Sequence, residues 1–131
     1  MLICIFYNAK SQTKIIVVAQ DGSGNFSTAQ EAFNSIPENN KKAITVFIKN
    51  GIYKEKLHLD SSKDFVTIIG EDKFKTILTY DDHNGTLTPN GDVINTMTSH
   101  TFLVKADNFT AKNITIQNNA GFSAGHAVTL E

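Results

Sequence analysis

Two runs decide the fold: Ile44-Thr-Val-Phe-Ile48 and Phe65-Val-Thr-Ile-Ile69. Each is short, rich in β-branched and aromatic residues, and marked by a Thr among apolar neighbours. An extended chain sends successive side chains to opposite faces, so such runs read as strands with one face buried. More of the same type flank them: Ile15-Ile-Val-Val-Ala19, Thr76-Ile-Leu-Thr-Tyr80, Thr101-Phe-Leu-Val104, Ile114-Thr-Ile116 and Ala127-Val-Thr-Leu130. Gly, Asn, Asp or Lys bound most of them, as strand ends require.

Asn-Gly pairs at Asn50-Gly51, Asn84-Gly85 and Asn90-Gly91 suit two-residue hairpins. The flanking runs are nevertheless too far apart for a simple meander. Starts at 44, 65, 101 and 114 give spacings of 21, 36 and 13 residues. Irregular coil length with Thr and Asn throughout suits an all-β chain wound as a right-handed parallel β-helix (solenoid) carrying excursions. Periodicity alone leaves a β-sandwich open. One helix is expected. Ser27-Thr-Ala-Gln30 reads as a capping box, Ala29, Ala32, Phe33 and Ile36 form an apolar face, and Pro37 stops the run. A helix over 27–36 is placed to cap the open first coil.

The chain has 131 residues with 12 basic and 13 acidic side chains and a net charge of −1. That length allows one domain. The near-neutral balance argues against a nucleic-acid partner, which needs a phosphate-neutralising surface. Every basic residue is Lys, so no Arg is present to clamp a carboxylate bidentately. The lone Cys4 excludes an intrachain disulfide and a cysteine zinc site. No run approaches the ~20 apolar residues of a membrane span, so no membrane partner is expected. Met1-Leu-Ile-Cys-Ile-Phe-Tyr7 is apolar, and Ala9 and Ser11 stand two apart as small residues do before a signal-peptidase cut. Residues 1–11 are therefore expected to be the remnant of an export signal whose start is missing, with a secreted or periplasmic location. A buried first strand is the competing reading.

Local constellations carry little chemistry. Asp81-Asp82-His83 groups three candidate ligands, but within a polar stretch running to Pro89-Asn90-Gly91 that reads as a solvated excursion rather than a metal site. His58 lies between Leu57 and Leu59 on the opposite strand face and is expected at the surface. No nucleophile elbow, phosphate loop or His-Glu-x-x-His occurs.

The longer strings say more. Val17-Val-Ala-Gln-Asp21-Gly-Ser-Gly24-Asn-Phe precedes Gly51-Ile-Tyr53-Lys-Glu55. Thr67-Ile-Ile-Gly70, Thr101-Phe-Leu-Val104, Asn108-Phe-Thr-Ala-Lys-Asn-Ile114-Thr and Gln117-Asn-Asn-Ala-Gly121 follow in turn. That order and spacing resemble the opening half of the pectin methylesterases (pectinesterases) from about Ile15 to Leu130. The excursion at Asp81–Asp92 looks more like that of bacterial members. The resemblance implies a right-handed parallel β-helix that hydrolyses C6 methyl esters of polygalacturonate to carboxylate and methanol. It implies pectin (homogalacturonan) as partner, a monomer when full length, and no metal or organic cofactor. One Asp attacks the ester, a second acts as acid and then base, glutamine amides hold the oxyanion and an Arg orients the nucleophile.

Part of that apparatus maps onto this sequence. Gly51, Tyr53 and Glu55 match the signature Gly-x-Tyr-x-Glu, with Gly for a turn and Tyr and Glu tying neighbouring coils. Thr96 falls where the family places a substrate-contacting Thr. Another solenoid Thr is the plainer reading. His126-Ala-Val-Thr-Leu130 stands where the family has Gln-Ala-Val-Ala-Leu, so His126 takes the oxyanion Gln position and Thr129 replaces an Ala. An imidazole N–H also donates a hydrogen bond, with different reach from an amide. A strand-end His facing solvent is the alternative. The signatures carrying the Asp pair, the second Gln and the Arg are absent, and the family has them further along the chain.

Residues 12–131 are thus expected to be the N-terminal part of a pectinesterase-like β-helix domain. A non-catalytic polysaccharide-binding or adhesin-like β-helix is the alternative. A polysaccharide lyase on the same fold would want calcium-binding acids, for which Asp81 and Asp82 are a thin basis. The 131-residue chain is expected to lack esterase activity. Incubated with highly methylated pectin, it should release no methanol above the blank, and turnover would overturn this expectation.

Overall fold

The structure is a computed structural model that describes residues 13–121 and residue 129. Nine strands, one short α-helix and a single 3-10 turn make up the described elements. The strands and the helix are β1 (Lys14–Val18), α1 (Ala29–Asn34), β2 (Ile44–Ile48), β3 (Gly51–Lys54), β4 (Leu57–Leu59), β5 (Val66–Gly70), β6 (Thr76–Tyr80), β7 (Phe102–Val104), β8 (Thr110–Lys112) and β9 (Thr115–Asn118). Every strand pair is parallel. One sheet runs β1-β2-β5-β8, a second β3-β6-β9 and a third β4-β7. Each turn therefore passes once through each sheet, as in β2-β3-β4 and again in β5-β6-β7. This is a parallel β-helix, as the sequence predicts.

The uneven strand spacing now has a cause. The starts near 44 and 65 stack in one sheet, but those near 101 and 114 belong to the other two. In the first sheet Ile44 pairs with Val66, and Thr67 with Thr110, so the second turn is lengthened by the excursion between β6 and β7. Two strands, β3 and β8, were not foreseen, and β4 was read only as the Leu57-His58-Leu59 alternation, where His58 is exposed between two buried Leu as expected. β3 opens on Gly, β4 is a three-residue piece, and all three residues of β8 are exposed. None makes a strong pattern alone, and each is held by parallel neighbours above or below.

Alternation sets the core. Ile16 and Val18, Ile44, Val46 and Ile48, and Val66 and Ile68 point inward from the first sheet, while Tyr53, Leu57, Leu59, Leu78 and Phe102 fill from the others. Phe33 of α1 stacks on Phe102 at 5.4 Å between centroids, and Phe109 meets Phe102 edge-on at 5.6 Å.

The helix departs from its sequence reading in start and length. Thr28, not Ser27, is the N-cap, with its hydroxyl accepting from the Glu31 amide at 3.2 Å. The helix ends at Asn34 with Ser35 as C-cap, two residues before Pro37. With Thr28 as N-cap, Gln30 stands one position short of the residue that would complete a capping box, and its amide bonds to the backbone of β4. α1 buries Ala29, Ala32 and Phe33, and packs against β1 and β4. It occupies the place in the first turn that β4 and β7 fill in the next two. Among the described residues no helix is long and apolar enough to cross a membrane.

The corners are tight. Phe65 and Asn108, in equivalent positions one turn apart, both adopt left-handed conformations with φ of 62° and 54°. At Gly70 a Cβ would lie 2.2 Å from the Asn113 carbonyl oxygen, so the stacked turn admits only glycine. Gly70→Ala should force that backbone apart and cost about 1–3 kcal/mol. Thermal unfolding checks this; an unchanged Tm would contradict the close stacking.

Candidate functional site

The signature Gly51-Ile-Tyr53-Lys-Glu55 lies on β3 and the corner leading to β4. Gly51 opens the strand where the Gln20 side chain crosses, with Gln20 Oε1 2.5 Å from where a Cβ would stand. Tyr53 is buried and donates its hydroxyl to the Lys49 carbonyl at 2.8 Å. Burial holds its phenol above the usual ionisation range, reinforced by the carboxylates of Glu55, Asp21 and Glu71 and opposed by a backbone bond from Gln20. Glu55 reaches back one turn. Its two oxygens accept from the Ala29 and Gln30 amides, at 2.9 and 3.0 Å, at the start of α1. A carboxylate there satisfies free N–H groups and opposes the positive end of the helix dipole.

Thr96 sits on the excursion between β6 and β7, residues 81–101. Its first part is a hairpin. Leu87 and Val93 form an antiparallel bridge, the Thr88 amide donates to Asp92 O at 2.9 Å, and Gly91 N donates to Thr88 O at 2.9 Å around Pro89-Asn90. Thr96–Thr98 then forms a single 3-10 turn. Asn95 caps it, its side chain accepting from the Thr98 amide at 3.0 Å, while the Thr98 hydroxyl accepts from the Asn95 amide at 3.0 Å. The Ser99 hydroxyl donates to the Thr96 carbonyl at 2.8 Å. The hydroxyls of Thr98 and Ser99 are thus engaged in holding the turn. Thr96 is exposed, and its hydroxyl makes no hydrogen bond among the described residues.

Asp81, Asp82 and His83 do not converge. Asp81 pairs with Lys54 at 3.0 Å, Asp82 pairs with Lys56, and the His83 ring contacts its neighbour's carbonyl, Asn84 O, at 2.9 Å. Among the described residues no three His, Cys, Asp or Glu side chains are grouped to hold a metal. His58 points outward beside Asp60, its Nε2 3.1 Å from Oδ1, and His100 Nδ1 lies 3.3 Å from the Met97 carbonyl. A pocket of about 360 Å³ lies along β1, lined by Lys14, Ile15, Ile16, Asn25, Phe26 and Ser35, and takes in none of the expected site residues.

His126 and the segment 1–11 lie outside the described residues. Thr129 is described, and its carbonyl accepts from the Phe102 amide at 3.0 Å, bringing that residue beside β7. The sequence reading missed Lys56 and Asn118, which bind the two feet of the excursion. Their partners are 26 and 42 residues away for Lys56 and 36 and 19 away for Asn118, with no local pattern to reveal them.

Comparison with known proteins bears on the chain as a whole. The family model described as Pectinesterase matches residues 15–131. A probable pectinesterase/pectinesterase inhibitor of Arabidopsis thaliana is 42% identical over 114 residues, covering 87% of this chain and 19% of its own length. Pectin methylesterase from carrot matches in structure with a TM-score of 0.79 at 33% identity, over 88% of this chain and 34% of that one. A pectin methylesterase in complex with a hexasaccharide matches with a TM-score of 0.80 at 27% identity, over 90% and 38%. The chain spans about a fifth to two fifths of the length of such relatives. With plant proteins among them, the length of the excursion does not assign a bacterial source.

Two variants test the signature. Glu55→Ala should lower stability by about 1.5–3 kcal/mol, since charged hydrogen bonds to both helix amides are lost. Tyr53→Phe should cost about 1 kcal/mol near neutral pH. The raised phenol contributes stability that is present below the ordinary tyrosine value and is lost as pH rises through the folded one. Alkaline destabilisation should therefore be steeper in the unsubstituted chain than in Tyr53→Phe. Parallel alkaline profiles would contradict the burial of this phenol.

Proposed function

The chain belongs to the pectinesterase family, and from that premise we propose that it is the N-terminal part of an enzyme that hydrolyses C6 methyl esters of polygalacturonate. The observation that carries this reading is the family match over residues 15–131. The products are a free carboxylate and methanol, and the reaction class is covalent ester hydrolysis with electrostatic stabilisation of an oxyanion. None of the acidic residues of this chain is assigned as nucleophile or acid. Asp81, Asp82 and Glu55 are committed to Lys54, Lys56 and the helix amides, which supports leaving them out of the chemistry.

This chain's contribution is to hold the sugar. Thr96 offers an uncommitted hydroxyl on a capped and exposed turn, suited to a hydrogen bond with a galacturonate unit. His126 is proposed as the oxyanion donor in place of the family's Gln, through its ring N–H. The hexasaccharide bound by one structural relative supports an oligogalacturonate as ligand. Action on pectin, a polymer met outside the cell, supports a secreted or periplasmic location.

Titration of the chain with methyl-esterified hexagalacturonate, followed by amide NMR, tests the reading. Shifts should centre on residues 95–98, and Thr96→Val should weaken binding about fivefold, the value of one hydrogen bond of about 1 kcal/mol. A titration that leaves residues 95–98 unmoved would overturn the role of Thr96.

A further inference from the structure

The excursion that carries Thr96 is held at both feet by side chains from other turns. Lys56, at the corner between β3 and β4, donates to the Asp82 carboxylate at the start of the excursion and to the Thr98 carbonyl, at 2.6 Å, near its end. The same ammonium lies 5.9 Å from the centre of the Tyr80 ring, at the end of β6. One turn further on, Asn118 at the end of β9 donates to the Asp82 carbonyl at 2.8 Å and to the Ser99 carbonyl at 3.1 Å. One residue from the turn before and one from the turn after thus join the same two points, 82 and 98–99.

This arrangement bears on the turn that carries Thr96. The Lys56–Asp82 pair is largely withdrawn from water, with side chains 30% and 13% exposed, so solvent screens it less than a surface pair. The pull on Thr98 and Ser99 reaches Thr96 through its carbonyl, which accepts from both the hydroxyl and the amide of Ser99, at 2.8 and 3.5 Å. The hairpin beyond, with Leu87 and Val93 exposed, has no comparable tether among the described residues. Lys54–Asp81 is the weaker outer pair, 63% and 49% exposed, and touches only the first foot.

We propose that Lys56 and Asn118 are positioning residues for the sugar contact at Thr96, closing the excursion at its base so that the 3-10 turn presents the Thr96 hydroxyl in one orientation. The proposal rests on the reading of Thr96 as a galacturonate contact. Neither residue touches the sugar. Both act by removing the freedom that binding would otherwise have to freeze, the usual gain from preorganisation.

Lys56→Met, Lys56→Arg and Asn118→Ala separate positioning from mere stability. Two readouts are needed for each: amide exchange of β2, β5 and the excursion, and the affinity for methyl-esterified hexagalacturonate followed at Thr96. Lys56→Met should keep β2 and β5 protected, lose protection in residues 95–100 and bind about tenfold more weakly. Lys56→Arg keeps a donor for both oxygens and should restore affinity to within about threefold of the original. A Lys56→Met chain that loses protection in the excursion yet binds as before overturns the proposal, since Thr96 then needs no fixing. If Lys56→Met unfolds β2 and β5, Asn118→Ala decides by the same readouts, and collapse of both would make the tether a matter of global stability and overturn it. An unsubstituted chain that gives no response at Thr96 refutes the sugar contact itself, a separate outcome that takes the positioning role with it.

Discussion

Six residues of helix do not hold together in water, because nucleation costs more than so few backbone bonds return. The first turn of this solenoid nevertheless depends on α1, and what holds it is a set of groups from the second turn. Glu55 takes the two amides at its start. Lys63, nearly buried, donates to the Phe33 and Asn34 carbonyls at its end, at 3.0 and 3.3 Å. Anion at the N-terminus and cation at the C-terminus match the polarity of the backbone. Phe33 then closes the interior by stacking on Phe102. The helix exists because the coil beside it is already built.

Adjacent residues divide the work along the solenoid axis. Glu55 points to the turn before and Lys56 to the turn after, so one corner carries both the seal of the first coil and the foot of the excursion. A parallel β-helix repeats its corners, and side chains there are neighbours of their counterparts in the next turn. That is why interactions spanning 19 to 43 residues recur among the side-chain bonds at these corners, such as Asn113 donating to the Gly70 carbonyl at 2.9 Å. Crowding at one such corner leaves room only for glycine at 70, and at another Phe65 and Asn108 both adopt the left-handed region.

How much of this was legible follows from where the partners lie. β2 and β6 match their sequence runs residue for residue, since a half-buried strand prints its period locally. β4 showed only as the Leu57-His58-Leu59 alternation, with both Leu fully buried, because three residues are too few to mark a strand on their own. The capping box is out of register because Thr28, not Ser27, caps the helix, and Gln30 found its use on β4 instead. Thr96 came into view only through the resemblance to pectinesterases, as a Thr in a Thr-rich chain has no local mark. Lys56 and Asn118 had none either, for their meaning arises when distant turns stack.

The use that Gln30 found is a substitute peptide bond. Its amide nitrogen donates to the His58 carbonyl at 3.0 Å and its oxygen accepts from the His58 amide at 2.9 Å, as a neighbouring strand would. β4 is the outer strand of the β4-β7 sheet on this side, and a bare edge offers its hydrogen-bonding groups to any extended chain that passes. With the central groups of β4 already satisfied by a side chain from a helix, that edge has little to offer a second molecule. One glutamine thus gives the sheet a direction: on the outer side of β4 the His58 amide and carbonyl are already taken, so the sheet is closed there by a side chain rather than by another strand.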